Sequence, residues 1–240
     1  MSLPGDVVTW FTTGDHWRGD FGVPHRLYEH AVMSTAAVVA AVLIALPVGI
    51  WLGHRGRGGA VAINLANVGR ALPSLAILAL FQQAFGLRGW PGFGARPAFV
   101  ALVALAVPPL VTNAYVAMRG VDRDVVEAAR GMGMTGTELL WRVELPIALP
   151  LVLAGVRTAA VQVVATATLA AVTAWGGLGR YIYDGFGQRD NAQILAGAIL
   201  VGLLALTTEL GLGALQRAVV SDGLRPQQRR RSTEPVVVTA

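Results

Sequence analysis

The chain contains no cysteine and no lysine, and charged residues make up only 14% of its 240 positions. Without cysteine there are no disulfides, no thiolate metal sites and no cysteine nucleophile. Its histidines, His16, His25, His30 and His54, are scattered without the spacing of metal ligands, so no metal centre is expected. No glycine-rich loop ends in Lys and Ser or Thr, so the chain is expected to hold no nucleotide of its own. Paired carboxylates and a nucleophile–base pair are wanting too, which argues against an enzyme, in or out of a membrane. A soluble domain carries about 25% charged residues because its surface must be solvated. This chain falls far short, which excludes an ordinary soluble enzyme, and its apolar content excludes a disordered protein. The net charge of +5 comes from arginine alone. Most of those arginines sit at the ends of apolar runs, so no nucleic-acid partner is expected.

What the chain does have is apolar length. Hydrophobic residues are 54% of it. They gather in five runs: Ala31–Gly53, Ala60–Phe85 with Arg70 inside, Ala98–Met118, Ala148–Ala174 with Arg157 inside, and Ala192–Leu215 with Glu209 inside. A bilayer core about 30 Å thick is crossed by about 20 helical residues, so each run is long enough to span. The expectation is an all-α integral membrane protein with about five transmembrane helices. Residues 1–30 carry Asp6, Asp15, Asp20 and Glu29 and no basic n-region. They read as an extracytoplasmic segment rather than a cleavable signal. Five spans put the termini on opposite sides, and the arginine bias favours Met1 outside and the C-terminus in the cytoplasm. That bias rests on the tail, residues 217–240, which reads as a solvated, disordered cytoplasmic end containing Arg229–Arg231.

The longest internal polar stretch, residues 119–147, falls on the inner side. Asp122 or Asp124 can cap a helix through Val125–Met132, Gly131 and Gly133 break it, and Thr135 or Thr137 can start a second helix with Glu138 in its first turn. Leu139, Leu140 and Val143 give that second helix an apolar stripe ahead of Pro146. Two short helices around a glycine turn, with a small apolar exposed side flanked by arginines, have the shape of a docking element for another protein.

The residues of this stretch resemble a known signature. Glu127-Ala128-Ala129, then Gly133, then Val143-Glu144-Leu145-Pro146 match the EAA motif of permease subunits of binding-protein-dependent ABC importers at every fixed position. Further segments narrow the resemblance to permeases for glycine betaine, carnitine, choline and related osmoprotectants: Leu72-Pro73-Ser74-Leu75-Ala76, Asn113-Ala114-Tyr115, Ala154 to Gln162, Gly176-Gly177-Leu178-Gly179 and Ile194 to Ala198. Trp175 and Ala117 depart from the residues usual in that branch. The resemblance implies the type I permease fold of ABC importers over residues 31–216. It implies that Glu127, Ala128, Ala129, Gly133, Val143, Leu145 and Pro146 form the loop docking into a cytoplasmic ATPase. It implies three protein partners besides the lipid bilayer: ATPase subunits that use ATP and Mg, a second permease subunit, identical or homologous, and a separate extracytoplasmic solute-binding protein. No cofactor is expected on this chain itself. The alternatives are an ABC permease for an amino acid such as methionine and, in a different class, an ion-coupled secondary transporter, which needs intramembrane carboxylates or unwound ion sites.

Polar groups inside the runs are candidates for the translocation pathway: Arg70, Pro73, Ser74, Asn113, Tyr115, Gln162 and Thr166. An arginine facing lipid near mid-membrane costs about 2.5–3.5 kcal/mol even on the lenient insertion scale. Arg70 should therefore face the bundle interior or water, either lining a pathway or held structurally at a dimer seam. Pro73 removes a backbone hydrogen bond and invites a broken helix. Arg157 and Glu209 fall at similar depth on neighbouring spans and are expected to form a buried ion pair.

Overall fold

The computed structural model describes residues 3–56 and 58–220, with the side chains at positions 61, 62, 65, 66, 68 and 70 left out. Arg70 is thus placed only as part of a helix backbone, and the tail triplet Arg229–Arg231 lies outside the described residues. The helices are α1 (Leu3–Thr12), α2 (Val23–Arg55), α3 (Gly59–Ala71), α4 (Ser74–Leu87), α5 (Ala95–Arg119), α6 (Arg123–Gly131), α7 (Gly136–Leu139), α8 (Leu145–Thr166), α9 (Gly179–Gln188) and α10 (Asn191–Val219). A 3₁₀ turn, Gly14–Trp17, follows α1, a π-helical turn, Leu140–Glu144, joins α7 to α8, and 3₁₀ turns, Ala167–Thr173, continue α8.

Among the described residues four helical stretches are long and apolar enough to cross a membrane: Val23–Arg55, Ala95–Arg119, Gly136–Thr173 and Asn191–Val219. The second apolar run is interrupted where Pro73 invites a break. It is broken at Leu72 and Pro73, both with extended backbone (ψ 128° and 129°), into α3 of 13 residues and α4 of 14. The reason is local: the proline ring disfavours helical backbone at the residue before it and removes a donor. Neither half alone matches the bilayer core. Together they run antiparallel to α5 along its length. Gly59 abuts Tyr115, a Cβ on Gly69 would meet Pro108 at 3.2 Å, and Leu78 packs with Ala98, Ala101 and Leu102. The bundle is therefore α2, the α3–α4 pair, α5, α8 and α10.

The central seam is α2 against α5. On α2 the residues Ala37, Ala41, Ala45, Gly49 and Gly53 recur every fourth position and are buried. A Cβ on Gly49 would lie 2.6 Å from the carbonyl oxygen of Val111 and 2.7 Å from the Ala114 methyl. In a bilayer, apolar side chains gain little by leaving lipid for one another, so close backbone approach through small residues is what holds such helices together. Two satellite clusters mark the ends of the bundle. Trp10, Val23, Leu178, Tyr181 and Ala196 tie α1, α9 and the starts of α2 and α10 at one end. Ala117, Met118, Val121, Ala148 and Val152 tie α5 to α8 at the other, beneath α6 and α7.

Candidate functional site

Of the two short helices expected, α6 stands by itself, whereas the second does not end ahead of Pro146: α7 continues through the π-helical turn into α8 as one helical stretch, Gly136–Thr173. Asp122 caps α6, accepting the backbone N–H of Asp124 at 2.9 Å. Thr135 caps α7 in a capping box: its N–H and hydroxyl donate to Glu138 at 3.0 and 2.9 Å, and its hydroxyl accepts the Glu138 N–H. Between them Gly133 takes φ +85°, a left-handed conformation that a β-carbon strains. Its N–H donates to Arg130 O at 2.9 Å, and that of Met134 to Ala129 O at 3.3 Å, closing the turn.

Glu127 and Ala128 are exposed, as a docking surface requires, and so are Val125, Met132 and Trp141. Ala129 differs: it is buried, so its methyl sets the internal packing of the hairpin rather than its outer face. Val143, Leu145 and Pro146 are half-buried where the π-helical turn runs into α8. Glu144, at the variable position of the motif, is the residue that sequence reasoning passed over. It is buried, and its Oε2 is paired with His54 Nδ1 at the end of α2. This pair staples the root of the hairpin to a helix 90 residues away in sequence. An acid beside Leu-Pro was the available signal, but nothing in the sequence pointed it at His54.

The membrane candidates converge unevenly. Pro73, Ser74, Gln162 and Thr166 line one pocket of about 430 Å³ where α3 and α4 break apart beside α5 and α8. Asn113 and Gln162 line a second, of about 320 Å³, and Pro109, Ala159 and Gln162 belong to both. Gln162 therefore stands between two cavities, while the hydroxyl of Thr166 donates to Gln162 O of its own helix at 2.8 Å. Tyr115 is not part of this space. Its ring packs against Gly59 at the start of α3, where a β-carbon would overlap it. Among the described residues neither pocket is lined by an aromatic side chain.

Arg157 and Glu209 do meet, with Nε 3.2 Å from Oε1. The pair is not fully buried within the chain: the side chains are 33% and 42% exposed. Gly213 opposite leaves room for the guanidinium, which a β-carbon there would touch at 3.2 Å.

At the opposite end from the hairpin, the Gly176-Gly177-Leu178-Gly179 motif forms a seat for α2. The Gly177 N–H donates to Glu29 Oε2 at 2.8 Å, Arg26 donates to the same oxygen at 2.8 Å, and His30 faces Val164 O at 2.9 Å. Tyr181 donates its hydroxyl to Phe21 O at 2.7 Å, and burial pushes that phenol up to about 12. Among the described residues no cluster of His, Asp and Glu could hold a metal ion.

Residues 45–221 match the family described as binding-protein-dependent transport system inner membrane component. The chain is 37% identical over 201 residues to the choline transport system permease protein OpuBB of Bacillus subtilis, covering 84% of this chain and 90% of that one. It is 35% identical over 219 residues to the carnitine transport permease protein OpuCB of Listeria monocytogenes, covering 91% and 95%. Among solved structures, an inward-facing conformation of the MetNI methionine ABC transporter superposes with a TM-score of 0.72 over 92% of this chain and 100% of that one. At 23% identity that likeness is one of fold.

Proposed function

This chain belongs to the family of binding-protein-dependent transport system inner membrane components, and on that premise we propose that it is the membrane-spanning subunit of an ABC importer for osmoprotectants of the glycine betaine, choline or carnitine class. It is a multi-pass membrane protein and a transport subunit rather than an enzyme. The observation that carries the reading is the placement of the Glu127–Pro146 hairpin. It stands at one end of a helical bundle, with an exposed outer face and a root clamped by His54 and Glu144, while a polar break lies inside the bundle at Pro73.

The parts divide the work. An ATPase docks on α6 and α7 and supplies ATP hydrolysis, with ATP and Mg bound there and not on this chain. Movement of the hairpin reaches α2 through His54 and α8 through the π-helical turn. A second permease, identical or homologous, completes the passage, and Gln162 presents its amide between the two cavities. A separate binding protein delivers solute at the Glu29–Gly177 end. In this reading Met1 is outside and the hairpin and C-terminus are cytoplasmic. A quaternary ammonium solute is attracted by aromatic faces, yet among the described residues the pockets carry none, so selection falls to the binding protein. The amino-acid alternative finds support only in fold-level likeness, whereas the relatives at 35–37% identity carry choline and carnitine names. Ion coupling is disfavoured because Glu209 is occupied by Arg157.

The test is reconstitution with candidate ATPase and binding-protein partners and uptake of labelled betaine, choline and carnitine. Uptake should require ATP and the binding protein and ignore ion gradients. Gradient-driven uptake without ATP, or uptake of methionine alone, would overturn the assignment. Single cysteines replacing Asp20 and Met132 should label from outside and inside respectively; the chain has no other cysteine to confuse the result.

A further inference from the structure

Beside the hairpin root lies a pocket of about 290 Å³ whose lining includes Arg55, Arg119, Arg123, Arg130 and Glu127. We propose that it binds the phosphate of an anionic phospholipid whose acyl chains lie along α2. This goes beyond the transport reading and does not depend on which solute is carried.

The charge balance comes first. Among the described residues none of the four arginines lies within ion-pairing distance of a carboxylate, and the buried Glu144 is taken by His54. Glu127 also lines the space without an ion pair, so four cations face one free carboxylate there, and that surplus of positive charge favours a further anion. Helix dipoles explain Arg55, Arg119 and Arg130, which sit in the last turns of α2, α5 and α6, where cations are favoured. They do not explain Arg123, the first residue of α6, where a cation is disfavoured.

The second observation is independent of charge. Ile44, Val48 and Trp51 are 52%, 46% and 51% exposed. With Arg55 they recur at four-, three- and four-residue steps, which is one face of α2. That apolar face runs into the pocket's rim, where the Arg55 guanidinium stands 4.4 Å over the Trp51 ring. A free phosphate has no use for such a track; a lipid fills both. Basic pockets at the ends of membrane helices are a recurring way of holding anionic headgroups.

The full chain, reconstituted in phosphatidylcholine vesicles, tests this. Trp51 emission is isolated as the difference between the protein and Trp51→Phe. It is then quenched with phosphatidylglycerol or phosphatidylcholine brominated near the headgroup. Phosphatidylglycerol should quench several-fold more effectively. Arg119→Gln/Arg123→Gln should abolish that preference, bringing the two lipids to about equal quenching, while Arg119→Lys/Arg123→Lys retains most of it and Arg142→Gln, outside the pocket, retains all of it. Inorganic phosphate should not displace the lipid. Equal quenching by the two lipids overturns the proposal, as does a preference that survives the double glutamine variant. Displacement by inorganic phosphate would make this a free-anion site instead. Loss of ATPase copurification in the glutamine variant with lipid preference unchanged would make it a protein contact, and the lipid assignment would fall.

Discussion

Glu29 on α2 accepts the backbone N–H of Gly177, 148 residues further along the chain, at 2.8 Å. Gly176 lies so close beneath the same carboxylate that a β-carbon there would occupy its place. One side chain thus links the first membrane helix to the turn before α9, and the Gly-Gly-Leu-Gly motif acquires a structural reason: a carboxylate rests on backbone with no side chain between.

Gly176→Ala should therefore push Glu29 from its seat and lower the melting temperature of the purified protein by several degrees, a loss of about 1–3 kcal/mol as for other overpacked sites. Glu29→Gln keeps the shape and an acceptor oxygen but loses the charge, and should cost less. Equal melting temperatures for Gly176→Ala and the parent in detergent scans would contradict this.

Arg157→Ala and Glu209→Ala should each lower stability, and the double variant should lose less than the sum. Because both side chains are partly exposed within the chain, the coupling belongs at the lower end of the range for contacting residues, about 0.5–1 kcal/mol. Additive losses in a double-mutant cycle would remove the pair from the account.

For the hairpin, burial separates two alanines that the motif treats alike. Ala128→Trp alters an exposed position, so insertion and melting should stay near normal while ATPase copurification and ATP-driven uptake fall sharply. Ala129→Leu overpacks a buried site and should destabilise by about 1–3 kcal/mol. Gly133→Val forces a β-branched residue to φ +85°. It should uncouple hydrolysis from uptake without preventing insertion. Full uptake in Gly133→Val would show that this loop does not transmit the ATPase stroke.

Gln162→Leu removes the one amide shared by the two membrane cavities. Uptake should drop at least severalfold with expression unchanged. Tyr115→Phe, away from those cavities, should leave the apparent KM for solute as it was. A KM shift in Tyr115→Phe with none in Gln162→Leu would reverse their roles.

Several features could be read directly from the residues because their causes are local or compositional. Uncharged runs of 20 or more apolar residues such as Ala31–Gly53 and Ala98–Met118 are long enough to be membrane helices, and they are helical here. A cap at Asp122 or Asp124, another at Thr135 or Thr137 and a glycine turn between them follow from residues within a few positions of one another; the structure selects Asp122 and Thr135. The pairing of Arg157 with Glu209 was legible too, since a charge at membrane depth needs a partner and these two fall at similar depth on neighbouring spans. Pro73 announced a break, although only the structure showed α3 and α4 as separate helices.

Contacts between distant segments were decided by tertiary structure. Glu144 finds His54, Glu29 finds Gly177, and Tyr115 turns to Gly59 instead of the cavity around Gln162, because each depends on the rotation of one helix about its axis. In a bundle that is apolar on nearly every face, hydropathy leaves that rotation undetermined. It is fixed by the fourfold-spaced alanines and glycines of α2 fitting against α5, a matter of shape that shows only when both surfaces are brought together.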